Sequence, residues 1–157
     1  MTTVVIGVGN PFRRDDGVGP AVVELLRERL TGLRSAGGLT GVRFVTSDGE
    51  TTALIDAWTG ADRAVVVDAV RVAAGDPGRI HRFSAEHPAA TRAGVGTPHA
   101  ADLGDAVALA RALDRMPRSL LIFGVQVDDI GFGPGLSAAV AAAARHLADE
   151  IATLLVG

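Results

Sequence analysis

Two adjacent carboxylates, Asp15 and Asp16, follow a β-branched run and a glycine turn in the opening segment Thr2-Thr3-Val4-Val5-Ile6-Gly7-Val8-Gly9-Asn10-Pro11-Phe12-Arg13-Arg14-Asp15-Asp16-Gly17-Val18-Gly19-Pro20. Like charges side by side at the exit of a buried strand are costly to hold. They point to a cation, a proton or a charged substrate nearby. Three more polar residues stand in comparable places: Asp68 closes the apolar run Ala64–Val67, His99 lies in the loop before a helix capped by Asp102, and Gln126 follows the apolar run Leu120–Val125. Asp16, Asp68 and His99 form a mixed oxygen and nitrogen set suited to nickel, zinc, iron or manganese. Three protein ligands leave coordination positions open for a substrate.

Each of these residues also has an ordinary reading. An Asp after a strand is often a helix cap or turn residue, and either Asp15 or Asp16 can cap the first helix and complement its dipole. His99 alone reads as a loop histidine, and His81, His87 and His146 read as structural or exposed. Arg13 and Arg14 read as solvated loop charges, although either can bind a carboxylate. Gly7-Val8-Gly9 begins a dinucleotide fingerprint, but Phe12 replaces its third glycine and no acidic residue ends a second strand at the required distance. A nucleophile elbow and a lysine-bearing phosphate loop are both absent.

The elements that must carry these residues alternate along the chain. Val4–Val8 reads as a strand buried on both faces, followed by a helix over Val18–Leu30 with Val22, Leu25, Leu26 and Leu30 on one stripe. Val42–Val45 is a second strand. A short helix with Leu54, Ile55 and Trp58 then starts at a cap supplied by Asp48 or Thr51. Ala64–Val67 is the third strand, and Arg79–Ser84 an edge strand after the turn Gly75-Asp76-Pro77-Gly78. Residues 86–98 read as a loop. The Asp102–Leu113 helix, the Leu120–Val125 strand, a glycine-rich loop over Val127–Gly135 and a helix over Ser137–Leu155 complete the chain. Continuous apolar strands separated by helices predict a single α/β domain of three layers over residues 1–157, with a mostly parallel sheet covered on both faces. In such sheets ligands bind beyond the carboxyl ends of the strands, where the singled-out residues fall.

Bulk properties narrow the chemistry. The chain has 157 residues, enough for one domain with a real core, and 48% of them are hydrophobic. The formal net charge of −3 disfavours nucleic acid and anionic membrane as partners. The absence of cysteine excludes disulfides, cysteine metal sites and thiol catalysis. All 15 basic residues are arginine, which excludes lysine chemistry. The opening carries no basic leader, and no uncharged apolar stretch reaches about 18 residues, so a cytoplasmic protein without a membrane anchor is expected.

Taken together, the motifs resemble the hydrogenase maturation endopeptidases, which process the large subunit of nickel–iron hydrogenases. The carrying residues are Gly7, Gly9, Asn10, Asp15, Asp16, Gly17 and Gly19, then Val65-Val66-Val67-Asp68-Ala69, then Thr97-Pro98-His99. The last group is Gly124-Val125-Gln126 with Gly133, Gly135, Leu136, Ser137 and Val140. The resemblance runs end to end and keeps the order of all four marks. It implies an aspartic-type endopeptidase that removes a C-terminal extension from a hydrogenase large-subunit precursor. It also implies that Asp16, Asp68 and His99 sense nickel that arrives with the precursor rather than being held by the free enzyme. Asp15 is then a candidate base, and Asn10 and Gln126 candidate substrate contacts. Two rivals stand beside it: a nickel-dependent assembly checkpoint that keeps the same trio without cleavage, and an unrelated metallohydrolase on a similar sheet that binds its own metal.

Overall fold

The structure of the chain is a computed structural model that describes residues 1–72, 75–84, 95–96 and 100–157. Its sheet runs in the order β2 (Val42–Ser47), β1 (Thr3–Val8), β3 (Arg63–Val72), β6 (Ser119–Gln126), β4 (Ile80–Ser84). The first four strands are mutually parallel, and β4 closes one edge antiparallel to β6. The two-residue β5 (Val95–Gly96) pairs with Arg71 and Val72 off this path, within the stretch expected to be loop. Every residue of β1 is buried, as a central parallel strand covered on both faces requires.

Side chains alternate between the faces of a strand, so β3 divides its residues between two cores. Val65, Val67 and Ala69 join the core under α1 (Val18–Ser35) and α4 (Ala138–Val156), where Val22, Leu26, Leu147 and Ile151 are buried. Ala64 and Val66 join the opposite core under α2 (Thr51–Trp58) and α3 (Ala100–Ala112), with Leu54, Trp58, Ala106 and Ala110. The expected three-layer α/β domain with a mostly parallel sheet is the one observed.

Several boundaries differ from those expected, for identifiable reasons. The first helix continues through Gly32 to Ser35 and ends before the glycines at 37 and 38. Strand β3 does not stop at Asp68 but runs to Val72, since β6 keeps pairing with it through Val70. The cap of α2 is Glu50, not Asp48 or Thr51. Its longer carboxylate reaches the backbone N–H groups of Thr52 and Ala53 at 3.0 and 3.1 Å, while Asp48 accepts from Glu50 N–H. Asp102 lies inside α3 rather than at its cap. No helix among the described residues is long and apolar enough to cross a membrane.

The strand order places a topological switch between β1 and β3: the chain leaves β1 to one side for β2 and returns on the other side for β3. A crevice at the carboxyl ends of such a strand pair is where open α/β sheets bind ligands.

Candidate functional site

Asp16 and Asp68 flank that switch point. Pairing between β1 and β3 ends at Gly7 with Val67, so Asp68 is the first β3 residue beyond the last β1 rung. Pairing of β3 with β6 continues through Asp68–Gly124 to Val70–Gln126, and these two strands project past β1 as a wall. The segment leaving β1 turns back over its own strand end through Gly9 and a 3-10 turn, Arg14–Gly17. Gly9 has φ +142°, and a Cβ there would lie 1.9 Å from the Asp16 carbonyl oxygen. Gly19, in the first turn of α1, would place a Cβ 2.5 Å from the carbonyl oxygens of both Val8 and Val67. Glycine at these two positions lets the Asp16 turn and the start of α1 settle directly on the ends of β1 and β3.

The two adjacent aspartates part company in this turn. A 3-10 helix rotates successive residues by about a third of a turn, so neighbouring side chains leave in different directions. Asp15 is buried and receives two hydrogen bonds from Ser137 at the head of α4: backbone N–H to Oδ1 at 2.7 Å and hydroxyl to Oδ2 at 2.9 Å. Asp16 is buried as well, 3% exposed. Its Oδ2 accepts the Asn10 backbone N–H at 3.0 Å, while Oδ1 is buried with no hydrogen-bond partner among the described residues. Neither aspartate caps α1, whose N-cap is Gly17. A buried carboxylate oxygen with no donor is costly unless something supplies a positive charge.

Asp68 is 1% exposed, and its Oδ1 accepts the N–H of Ala69 at 2.8 Å. By strand alternation it points to the face covered by α2 and α3. His99, the third member of the expected set, lies outside the described residues, one position before α3 begins. Among the described residues no group of three His, Asp or Glu side chains is arranged to hold a metal.

Two histidines given the ordinary reading separate here. His146 is on the exposed side of α4, whereas His81 is part of the site wall. His81 is paired with Gly124, which is paired with Asp68, so the three stand in one row across β4, β6 and β3. The row has no side chain at its centre, because a Cβ on Gly124 would lie 2.5 Å from Val70 Cγ1. Nε2 of His81 is 3.2 Å from Oε1 of the buried Gln126, and its ring stacks on Phe83 with centroids 6.3 Å apart. His81 was not legible as a site residue because the antiparallel register that brings it to Gln126 links positions 45 apart in sequence. Asn10, the other expected substrate contact, uses its side-chain oxygen to accept the Phe12 N–H at 2.9 Å, closing the turn.

The two glycine-rich loops join along the rim of the site. Arg14 N–H donates to Gly133 at 2.8 Å, Gly133 N–H to Phe12 at 2.8 Å, and Asp15 N–H to Asp129 at 3.0 Å. Arg14 adds an ion pair to Asp129 at 3.0 Å. The two loops are thereby tied to each other by main-chain hydrogen bonds.

A sequence model of the hydrogenase maturation protease family, HycI, matches residues 34–154. No curated protein sequence matches the chain. Among solved structures, the hydrogenase maturating endopeptidase HybD of E. coli superposes with a TM-score of 0.80 at 22% identity, covering 99% of this chain and 92% of that one. The [NiFe] hydrogenase maturation protease HybD of Thermococcus kodakarensis gives 0.76 at 26% identity and covers 100% of both chains. The HycI maturation protease of the same archaeon gives 0.65 at 19% identity, over 99% and 93%. The family match spans most of the chain, including the strands that form the site wall, and the likeness of fold extends over the rest: the chain belongs to the hydrogenase maturation protease family and is a peptidase.

Proposed function

We propose that the protein removes a C-terminal extension from a hydrogenase large-subunit precursor once that precursor carries nickel, and that Asp16, Asp68 and His99 read the metal. The observation that carries this reading is Asp16 Oδ1, a buried carboxylate oxygen without a donor at the switch point between β1 and β3. A divalent cation presented by the precursor supplies the missing partner, and hard oxygen and imidazole donors suit nickel. Asp68 lies on the face of β3 that α2 and α3 cover, and His99 immediately precedes α3 in sequence.

The separate environments of the two adjacent aspartates divide their roles. Asp15 has both oxygens engaged by Ser137 and holds the turn in place. Asp16 faces the substrate metal. The nickel supplies electrostatic positioning of the precursor tail and polarises whatever oxygen it contacts. Gln126, oriented by His81, offers an amide at the projecting end of β6 for the incoming peptide. With no membrane-crossing helix among the described residues and a net negative charge, the chain suits an aqueous, cytoplasmic encounter with a protein substrate.

The test is truncation measured by intact mass. Wild-type protein incubated with nickel-loaded precursor yields the shortened large subunit and a released peptide. Asp16→Asn and His99→Ala yield neither. A precursor that binds stoichiometrically yet keeps its full mass with wild-type enzyme would support the checkpoint reading instead.

A further inference from the structure

Asp16 Oδ1 is not the only unpartnered polar atom in its turn. Three residues earlier, Arg13 Nε is also buried without a hydrogen bond. The two opposite charges do not pair with each other, although Arg13 carbonyl accepts the Asp16 N–H at 3.1 Å. Arg14 next door is paired with Asp129, while among the described residues Arg13 has no ion pair. Its guanidinium instead lies 5.8 Å from the ring centroid of Phe132 on the opposite loop. Phe132 is 87% exposed and Phe12 is 70% exposed, so two aromatic rings and a pre-oriented guanidinium share the rim beside Asp16.

A guanidinium within cation–π range of an aromatic ring keeps its planar fork available for a carboxylate. Neighbouring exposed aromatics on one rim offer apolar area to a bound peptide. We propose that Arg13, within cation–π range of Phe132 and next in sequence to the exposed Phe12, is the subsite that binds a carboxylate of the precursor's C-terminal extension. This rests on the peptidase reading and adds to it the side of the site that recognises the tail. Metal and tail are then sensed by adjacent, oppositely charged groups: Asp16 takes the cation and Arg13 the anion. The carboxylate comes either from an acidic side chain of the extension or from its chain terminus.

The experiment measures affinity for full-length nickel-loaded precursor and its cleavage side by side. The proteins are wild type, Arg13→Gln and Arg13→Lys. The precursors carry the native extension, the extension with its acidic residues changed to amides, or the native extension lengthened by a short Gly-Ser tail that displaces the terminal carboxylate. Arg13→Gln is expected to weaken binding about tenfold, which corresponds to about 1.4 kcal/mol, with kcat changed far less than KM. Arg13→Lys is expected to recover part of the loss. One of the two altered precursors is expected to bind wild type about tenfold more weakly, identifying the carboxylate, and to show no further loss with Arg13→Gln. Equal affinity of wild type and Arg13→Gln overturns the proposal, as does an additive loss in the combined pair. Carboxylate-dependent binding without cleavage by wild type would remove the peptidase reading and leave the subsite standing.

Discussion

Asp15 and Ser137, 122 residues apart, are joined twice: the serine's N–H and hydroxyl each donate to a different oxygen of the same carboxylate. The pair ties the turn after β1 to the head of α4. It satisfies an N-terminal helix donor with a charge, which the helix dipole favours. Removing it gives up two hydrogen bonds to a charged group, at a cost of about 1–3 kcal/mol. Asp15→Ala should therefore lower Tm by roughly 2–12 °C, given the usual scaling for a domain of this size. Thermal unfolding followed by circular dichroism checks this, and an unchanged Tm would deny Asp15 its clamping role.

Asp16 should behave in the opposite way. Its Oδ1 is buried and unpartnered, so the folded protein carries an uncompensated cost there. Asp16→Asn keeps an oxygen for the Asn10 N–H and removes the charge. The expected Tm is equal to or above that of wild type, with processing of the precursor lost. Such a trade of stability for activity is common where a site is held ready for a ligand. A fall in Tm comparable to that of Asp15→Ala would place Asp16 in the scaffold.

The contrast between these neighbours also shows what a sequence can carry. The alternation of apolar strands with helices, and the crowding of Asp16, Asp68 and Gln126 toward strand ends, follow from periodicity and strand polarity. Which aspartate is the clamp does not, because it depends on the pitch of a four-residue 3-10 turn and on a serine far along the chain. Asp68 could be placed near a strand end, yet β3 continues past it because β6 is a longer partner than β1. Glu50 displaced Asp48 as a cap through side-chain reach alone. His81 owes its place to an antiparallel pairing that no local pattern encodes.

Glu50 supplies a pH signature at the head of α2. The hydroxyl of Thr52, at 2.6 Å, and then the N–H groups of Thr52 and Ala53 hold its carboxyl below the ordinary glutamate value. A folded-state value depressed in this way contributes stability above the unfolded pKa, and that contribution is lost as pH falls through the folded pKa. Glu50→Ala should accordingly lower Tm at neutral pH. The gap between the two proteins should close once the pH drops below the usual glutamate range. A gap that persists in strong acid would assign the effect to packing.

The proposed trio comes from three separate stretches of sequence: Asp16 from the turn after β1, Asp68 from β3, and His99 from just before α3. Tight metal sites hold their ligands in place with surrounding partners and close around the ion. The free protein, purified without added metal, should contain nickel well below one equivalent by elemental analysis. A full equivalent that survives dialysis would favour a resident-metal hydrolase.

The most direct measurement compares two precursor preparations, one loaded with nickel and one made without it, each incubated with an excess of wild-type enzyme and read by intact mass. The nickel-free sample also contains a chelator. The loaded precursor should lose its extension, and the nickel-free precursor should keep its full mass however much enzyme is present. Efficient truncation of the nickel-free precursor in chelator would contradict the role given to Asp16, Asp68 and His99.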